Sequence, residues 1–477
     1  MSTLPHASSD SEQAVVRQPS LLEALTPLVV MALLLGIGFG IYRLRIEMLL
    51  LAAAAIAAVI ALRLGHSWRA LEAGIVDAIS RAMSPTLIMI AVGMLIASWI
   101  AAGTIPMLMS YGLALIHPTW FLVTTCLVCS LVSVLTGTSY GTAGTIGVAF
   151  IGIAQGLGIS AAMTAGAVVA GAYFGDKVSP FSDTTNLAAA VVRTNLFDHI
   201  QHMQWTTVPA YLLGLSVYAI AGTSASASQP LQIAALNSAL QQAFVFHWVL
   251  LLPPVVALVL VVLRKPPLPA MLLSSALAIV CALVVQGAPL GGTLEACVVG
   301  YRAASGSPEV DVLLSRGGMQ AMMDVILVAL CAFAFAGIMQ RGGMLAVILQ
   351  RVQHVARTVG RLIAASVSAS VLTAVITGSS YLSVIIPGEL LAGAFRERAL
   401  AAKNLSRTTE DSGTVVVPLI PWSMAGVFMA GTLGVPTLEY APWAIFCYTG
   451  CIVALLYGVT GFAIAPRRRD DETRPGS

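Results

Sequence analysis

The sequence predicts an all-α polytopic membrane protein: two inverted repeats of five transmembrane helices, each with a re-entrant hairpin and a broken helix. Three observations predict it. Of 477 residues, 58% are hydrophobic and 9% charged, with a mean hydropathy of +0.90, whereas a soluble domain carries about 25% charged residues. Apolar stretches of about 18 residues or more, each able to cross a hydrocarbon core of about 30 Å, recur along the whole chain. The chain also repeats itself. Leu71-Glu72-Ala73 matches Leu294-Glu295-Ala296, with Met48-Leu49 over Met271-Leu272 and Ile56 over Ile279, and Thr136-Gly137-Thr138-Ser139-Tyr140 matches Thr377-Gly378-Ser379-Ser380-Tyr381. The second match has the wider spacing because a polar loop near 305 to 318 adds residues to the second copy.

In the first copy, residues 21 to 222, membrane helices are predicted near 23 to 42, 46 to 64, 84 to 102, a broken one near 160 to 192, and one near 205 to 222. Between the third and fourth, the apolar stretch 118 to 157 is too rich in Gly, Ser and Thr at Thr136 to Gly147 for one continuous span, so it reads as a re-entrant hairpin. The second copy, 246 to 465, repeats this with helices near 246 to 263, 268 to 286, 321 to 340, a broken one near 399 to 433, and one near 443 to 463, plus a hairpin near 362 to 396. Residues 223 to 245 read as an external linker. Residues 1 to 20 and 466 to 477 read as cytoplasmic tails, the first without the apolar core of a cleaved signal. An odd number of crossings per copy makes the copies antiparallel. With both termini cytoplasmic, the inner loops hold most of the Arg and Lys, including Arg63, Arg69, Arg81, Arg193, Arg351, Arg357 and Arg361. The uncharged segments 103 to 118 and 223 to 245 then fall outside, as the positive-inside rule requires.

Other classes find little support. The net charge of +3 is accounted for by topology determinants, so no nucleic-acid partner is expected. Most of the seven cysteines lie in apolar runs as small buried hydrophobes, and no partner set completes the Cys126/Cys129 spacing into a metal or redox site. No HExxH, phosphate loop, or nucleophile and base pair points to an enzyme. Duplicated broken helices with internal acids suit alternating access better than a continuous pore.

The chemistry concentrates in the broken helices. Phe174 to Asn186 holds Asp176, Lys177, Ser182, Asp183, Thr184, Thr185 and Asn186, and Asn404 to Thr414 holds Arg407, Glu410, Asp411, Ser412 and Thr414. A carboxylate at membrane depth costs several kcal/mol unless it is paired, hydrated or bound to a cation. Gly175 and Pro180 free backbone carbonyls, and Ser, Thr and Asn add neutral oxygens, a hard-ligand set suited to Na+. The hairpin tips contribute Thr138, Ser139, Thr142 and Thr145, and Ser379, Ser380 and Ser383.

Asp183 and Asp411 are the expected Na+ ligands and alternate proton acceptors, on the reading that both lie inside apolar flanks at equivalent places in the two copies; helix capping is the competing reading. Asp176 is a further ligand candidate, with mutual neutralisation by Lys177 as its alternative. Glu389 and Glu410 are added as proton-coupling candidates, with a structural ion pair to Arg407 or Lys403 competing for Glu389. The histidines His66, His117, His199, His202, His247 and His354 fall at predicted membrane edges, where a surface role is expected.

These residues resemble those of the NhaC-type Na+/H+ antiporter family, within the ion-transporter superfamily. The resemblance rests on Gly171-Ala172-Tyr173-Phe174-Gly175-Asp176-Lys177 through Ser182-Asp183-Thr184-Thr185-Asn186, on Leu405-Ser406-Arg407 with Glu410-Asp411-Ser412, on Pro418-Leu419-Ile420-Pro421-Trp422, and on Leu314-Ser315-Arg316-Gly317-Gly318-Met319. It covers about 21 to 465. It implies a homodimer in a bacterial cell membrane whose transport part moves in an elevator-like step.

The expected activity is secondary active exchange of Na+ for H+, with no cofactor beyond the transported ions. The alternative is a Na+- or H+-coupled exchanger of small carboxylates, of the malate and lactate type, or of amino acids.

Overall fold

The computed structural model describes residues 16–115, 117–224, 230–263, 265–354 and 357–467. The remaining parts of the predicted tails and of the 223 to 245 linker lie outside the described residues. All named elements among the described residues are helical, joined by one isolated bridge between Leu400 and Pro466.

Helix α1, Leu21–Leu33, opens on a capping box in which Ser20 accepts from the Glu23 amide and the Glu23 carboxylate accepts from the Ser20 amide; it runs on into a wider turn through Phe39. Then come α2, Ile46–Arg63, and α3, Trp68–Ala101. With 34 residues, α3 begins well before the predicted 84 to 102 span. At 1.5 Å per residue it is about 50 Å long, more than a bilayer core requires, so its polar first turns extend the apolar part. A short α4, Thr104–Leu115, leads into the hairpin region of α5, Phe121–Thr136, α6, Ser139–Thr142, and α7, Val148–Gly156, the last two joined by a π-turn. The first broken helix consists of α8, Ala161–Val178, and α9, Asp183–Val191; α10, Leu196–Ser224, follows. The linker is not plain coil: α11, Pro230–Ala243, forms within it.

The second half continues through α12, Leu252–Val262, α13, Pro267–Val284, α14, Leu290–Val299, α15, Pro308–Leu314, and α16, Met323–Arg341. Next are α17, Met344–His354, α18, Val359–Thr377, and α19, Ser380–Glu397. The second broken element is α20, Ala402–Thr409, a π-turn at Glu410–Thr414, and α21, Met424–Leu433. The short α22, Thr437–Tyr440, precedes α23, Ile445–Thr460. Among the described residues, eight helices are long and apolar enough to cross a membrane, or up to 11 if each bent pair counts as one span.

The same backbone events recur at positions 241 apart. His117 and Thr358 cap helical turns, Gly137 and Gly378 end α5 and α18 in the left-handed region, and Thr138 and Ser379 cap the next helix. Gly158 and Ala399, then Arg193 and Gly434, share positive φ, and Ser182 and Ser423 cap α9 and α21. This register corrects one expectation. Asp183 falls opposite Met424, and Asp411 opposite Ala170, so the two aspartates are not at equivalent places.

The two hairpins also pack differently. α18 and α19 lie against each other, whereas α5 runs along α8 and α7 packs on α4 and α8. The α5–α8 approach depends on Gly171 and Gly175, one turn apart: a Cβ on Gly175 would stand 2.5 Å from the Ser130 carbonyl oxygen, and one on Gly171 would strike that of Cys126. Small residues at this spacing let membrane helices touch backbone to backbone. One apolar cluster gathers α3, α5, α8 and α21, and a second gathers α2, α16, α18 and α19. The two broken elements meet where α9 packs against α20 and the π-turn that follows it.

Candidate functional site

At the end of α8 the chain must leave the helix before Pro180, and the exit turns Asp176 and Lys177 into the protein. Asp176 is buried; one carboxylate oxygen accepts from the Ser139 hydroxyl at 2.8 Å and the Ser139 amide at 3.2 Å, both from the first hairpin tip. Its other oxygen is buried without a hydrogen-bond partner among the described residues. Lys177 does not neutralise its neighbour. Its ammonium instead donates to Asp411 Oδ1, across 234 residues of sequence, with both side chains almost fully buried. The same nitrogen lies 5.7 Å from the centre of the Phe446 ring, on α23.

Asp411 sits on the π-turn that follows α20. Such a turn leaves the regular ladder of backbone hydrogen bonds locally and re-aims its side chains. Besides Lys177, Oδ1 accepts from Thr206 of α10 at 3.0 Å, while Oδ2 is buried without a partner among the described residues. The Cys451 thiol donates to the Asp411 backbone carbonyl at 3.1 Å. Glu410 accepts from Thr184 at 3.3 Å through one oxygen, leaving the other buried and unpartnered among the described residues. It lies within electrostatic reach of Lys177, Asp176 and Asp411.

The remaining predicted residues divide into two groups. Ser182, Thr184 and Thr185 are buried with the acids: Ser182 and Thr184 hydroxyls lie 3.1 Å apart, and Thr185 donates to the Lys177 carbonyl at 3.0 Å. Ser412 donates to Thr408, and Thr414 is buried with its hydroxyl unpartnered among the described residues. Thr138, Ser379 and Asn186 spend their side chains on local structure. The two hairpin residues cap the helices after their tips, and the Asn186 amide donates to the Pro180 and Ser182 carbonyls. Ser380 is half-buried and its carbonyl accepts from Ser383.

The expectation that Asp183 lies in a dry interior is corrected: it is exposed. In the first turn of α9, one of its oxygens accepts from the Thr184 amide and the other from the hydroxyl of Tyr381, an exposed residue of the second hairpin. A side chain beginning a helix at a break is held at the rim of the packed region, and the aqueous edge is where an unpaired carboxylate costs least. Glu389 is likewise exposed, on α19.

Several contributors were not predicted as site residues. His199 and His202 are buried rather than superficial; His199 meets Ser406 at 2.8 Å and His202 meets Asn404 at 3.0 Å. Arg407 is fully buried and donates to the Ala463 carbonyl at 2.8 Å. Thr206, Cys451 and Phe446 complete the walls. The stripe His199, His202, Thr206 on one face of α10 is a sequence signal that marks this surface, since polar residues at that helical spacing in a membrane helix face protein rather than lipid.

Among the described residues, the buried carboxylates outside the Arg45–Glu47 pair are Asp176, Glu410 and Asp411, and the fully buried cationic side chains are Lys177 and Arg407; Arg316, partly buried beside Gly152 of α7, also keeps guanidinium nitrogens out of solvent. Fully ionised, three negative charges face two positive ones, so the cluster lacks one positive charge. No group of three or more His, Cys, Asp and Glu side chains converges as a metal cage among the described residues. The oxygens on offer are single carboxylate oxygens, hydroxyls and carbonyls.

A profile of the Na+/H+ antiporter family matches residues 171–462, which include this cluster in full. The chain is 41% identical over 461 residues to an uncharacterized Na(+)/H(+) antiporter of Haemophilus influenzae, covering 95% of this chain and 98% of that protein. The chain belongs to the Na+/H+ antiporter family. As a member, it is an integral membrane protein and a transporter rather than an enzyme. Within the family it is 40% identical to the Na(+)/H(+) antiporter NhaC of Alkalihalophilus pseudofirmus, over 86% of this chain and 89% of the other. It is 34% identical to a malate-2H(+)/Na(+)-lactate antiporter of Bacillus subtilis, over 94% and 96%.

Proposed function

We propose that this member of the Na+/H+ antiporter family exchanges Na+ for H+ across a bacterial cell membrane, with the buried cluster of Asp176, Glu410 and Asp411 as the shared site. The observation that carries the reading is the missing positive charge. An uncompensated charge in a dry interior costs several kcal/mol, and either one monovalent cation or one proton cancels it. Occupancy by one excludes the need for the other, and competition at one site is what makes transport an exchange. The unpartnered oxygens of Asp176, Glu410 and Asp411, with the Thr184, Ser182 and Thr414 hydroxyls, supply hard ligands for Na+. Asp183, exposed and bridged to Tyr381, serves at the mouth of the path, where a negative charge raises the local cation concentration. Thr138, Ser139, Ser379 and Ser380 hold the hairpin tips in register around the site, and Glu389 takes the place of a surface acid outside it.

The surrounding architecture in this proposal is two inverted repeats of five crossings, residues 21 to 222 and 246 to 465, with both termini cytoplasmic and a homodimeric assembly. Support comes from the backbone events recurring at positions 241 apart and from the concentration of Arg and Lys on one side of the predicted topology. Alternating access follows if the broken helices and hairpins move together relative to α3, α13 and α16.

The malate and lactate relative keeps carboxylate exchange as the rival. Binding an organic anion calls for an available cationic clamp. Lys177 is already paired with Asp411, whereas Arg407 donates to Ala463 through Nη1 alone and keeps Nε and Nη2 buried without a partner among the described residues; it is the three buried carboxylates, which repel an organic anion, that favour the inorganic ion. The test is purified protein in liposomes carrying a pH gradient, challenged in turn with Na+, Li+, K+, malate, lactate and amino acids while internal pH is followed. Dissipation of the gradient by Na+ alone, abolished in Asp411→Asn, supports exchange; dissipation only with an organic anion replaces it.

A further inference from the structure

The Lys177–Asp411 pair is the one ion pair among the described residues whose two partners are both almost fully buried. It occupies one of the two oxygens of the carboxylate that an incoming cation would need. The ammonium is held from two directions: it donates to Asp411 Oδ1, and it lies 5.7 Å from the centre of the Phe446 ring. The Thr206 hydroxyl donates to the same carboxylate oxygen at 3.0 Å. A cation over an aromatic face is attracted by the ring's quadrupole. Lys177 is also tethered at the end of α8, beside the break at Ser179 and Pro180, where its backbone carbonyl is tied to Thr185 of α9. A vacant berth is near: Glu410 carries a buried oxygen without a partner among the described residues and lies within electrostatic reach of Lys177.

We propose that Lys177 is a tethered stand-in for the transported cation. Its ammonium holds Asp411 Oδ1 when no cargo is bound, and Na+ takes that oxygen, beside the free Oδ2, only by displacing it toward Glu410. The inference rests on the Na+/H+ exchange reading and adds to it a residue that sets cation affinity by competition. A flexible four-carbon stem ending in a compact point charge suits a group that must leave and return. Displacement breaks one N–H to oxygen contact at Asp411 and makes another at Glu410, with the number of charges in the cluster changed only by the arriving cation.

Competition has a signature that a structural ion pair lacks: removing the competitor tightens binding. Radioactive Na+ uptake under Na+/Na+ exchange is measured against Na+ concentration in liposomes containing wild type, Lys177→Met, Lys177→Arg and Phe446→Leu. Lys177→Met is expected to lower the half-saturating Na+ concentration by about tenfold or more, the scale set by loss of a buried opposing charge. Lys177→Arg keeps a competing cation and stays near wild type. Phe446→Leu loosens the ammonium and lowers the half-saturating concentration by about two- to fivefold.

An unchanged or raised half-saturating concentration in Lys177→Met, or no uptake by a correctly inserted Lys177→Met protein, overturns the proposal while wild-type flux stands. If Lys177→Met does not fold, Phe446→Leu decides by the same direction. Absence of Na+ flux in wild type fails differently, because it removes the exchange reading itself.

Discussion

Neutralising Asp411 isolates Lys177, and the cost follows from burial. Both side chains are almost fully inaccessible, so the ammonium cannot turn to water without moving the end of α8. Breaking one half of a buried ion pair costs about 3–5 kcal/mol, because the remaining charge is stranded. Here Glu410 stands near enough to recover part of that loss, which places Asp411→Asn at the lower end, about 3 kcal/mol. Lys177→Met strands the opposite charge and leaves the cluster two positive charges short, so its cost is similar in the absence of Na+. Removing both at once, Asp411→Asn with Lys177→Met, deletes the pair without stranding either member. The double variant should therefore be less destabilised than the sum of the two singles by about 2 kcal/mol or more, within the range seen for residues in direct contact. The assay is equilibrium unfolding of the four proteins in one detergent at one pH without Na+. An Asp411→Asn protein within about 1 kcal/mol of wild type, or additive single effects, would refute the account of the pair. Added Na+ should restore Lys177→Met, since a ligand that binds the native state stabilises it in proportion to the logarithm of its concentration.

Ser139→Ala removes the hydroxyl that donates to Asp176 at 2.8 Å and leaves the amide contact; a hydrogen bond to a charged group contributes about 1.5–3 kcal/mol, so cation affinity measured by uptake should change by about tenfold or more. Asp183→Asn, at an exposed carboxylate, should slow uptake by only a few fold and leave it saturable, whereas Asp411→Asn abolishes it. Gly175→Val forces a side chain onto the Ser130 carbonyl, and overpacking of about 1–3 kcal/mol should appear as lower thermal stability with α5 and α8 splayed. Gly137→Ala places a Cβ about 2.7 Å from the Phe181 backbone at φ of +66°, so it should destabilise the hairpin tip by about 1 kcal/mol or more in the same assay.

Most helices were legible because a membrane helix needs about 20 apolar residues, a signal that survives without context. α2 and α13 fall within two residues of the spans read from the sequence. The helix content of 103 to 118 and of the 223 to 245 linker was not legible, since short helices such as α4 and α11 carry no membrane-length pattern. Polarity in an apolar setting located Asp176, Glu410, Asp411, Ser182 and Thr184. Their partners were hidden because pairing is set by tertiary packing: Lys177 and Asp411 are 234 residues apart. Asp183 looked as internal as Asp411 in sequence, since both are flanked by apolar residues. Only the register of the two halves separates a first-turn residue at a rim from one inside a π-turn. His199 and His202 were assigned to the surface from their place near a helix end, yet α10 begins at Leu196 and carries them against α20.

The central claim, that one missing positive charge is supplied by Na+ or by H+ at the same buried acids, is tested most directly by calorimetric titration of the purified protein with Na+. The titration is run at one pH in two buffers of different ionisation enthalpy, so that the protons released per ion bound are counted. The account predicts about one proton released for each Na+ bound, with apparent affinity rising about tenfold per pH unit on the acid side of the transition. Saturable Na+ binding with no proton release, and with affinity independent of pH, would contradict it.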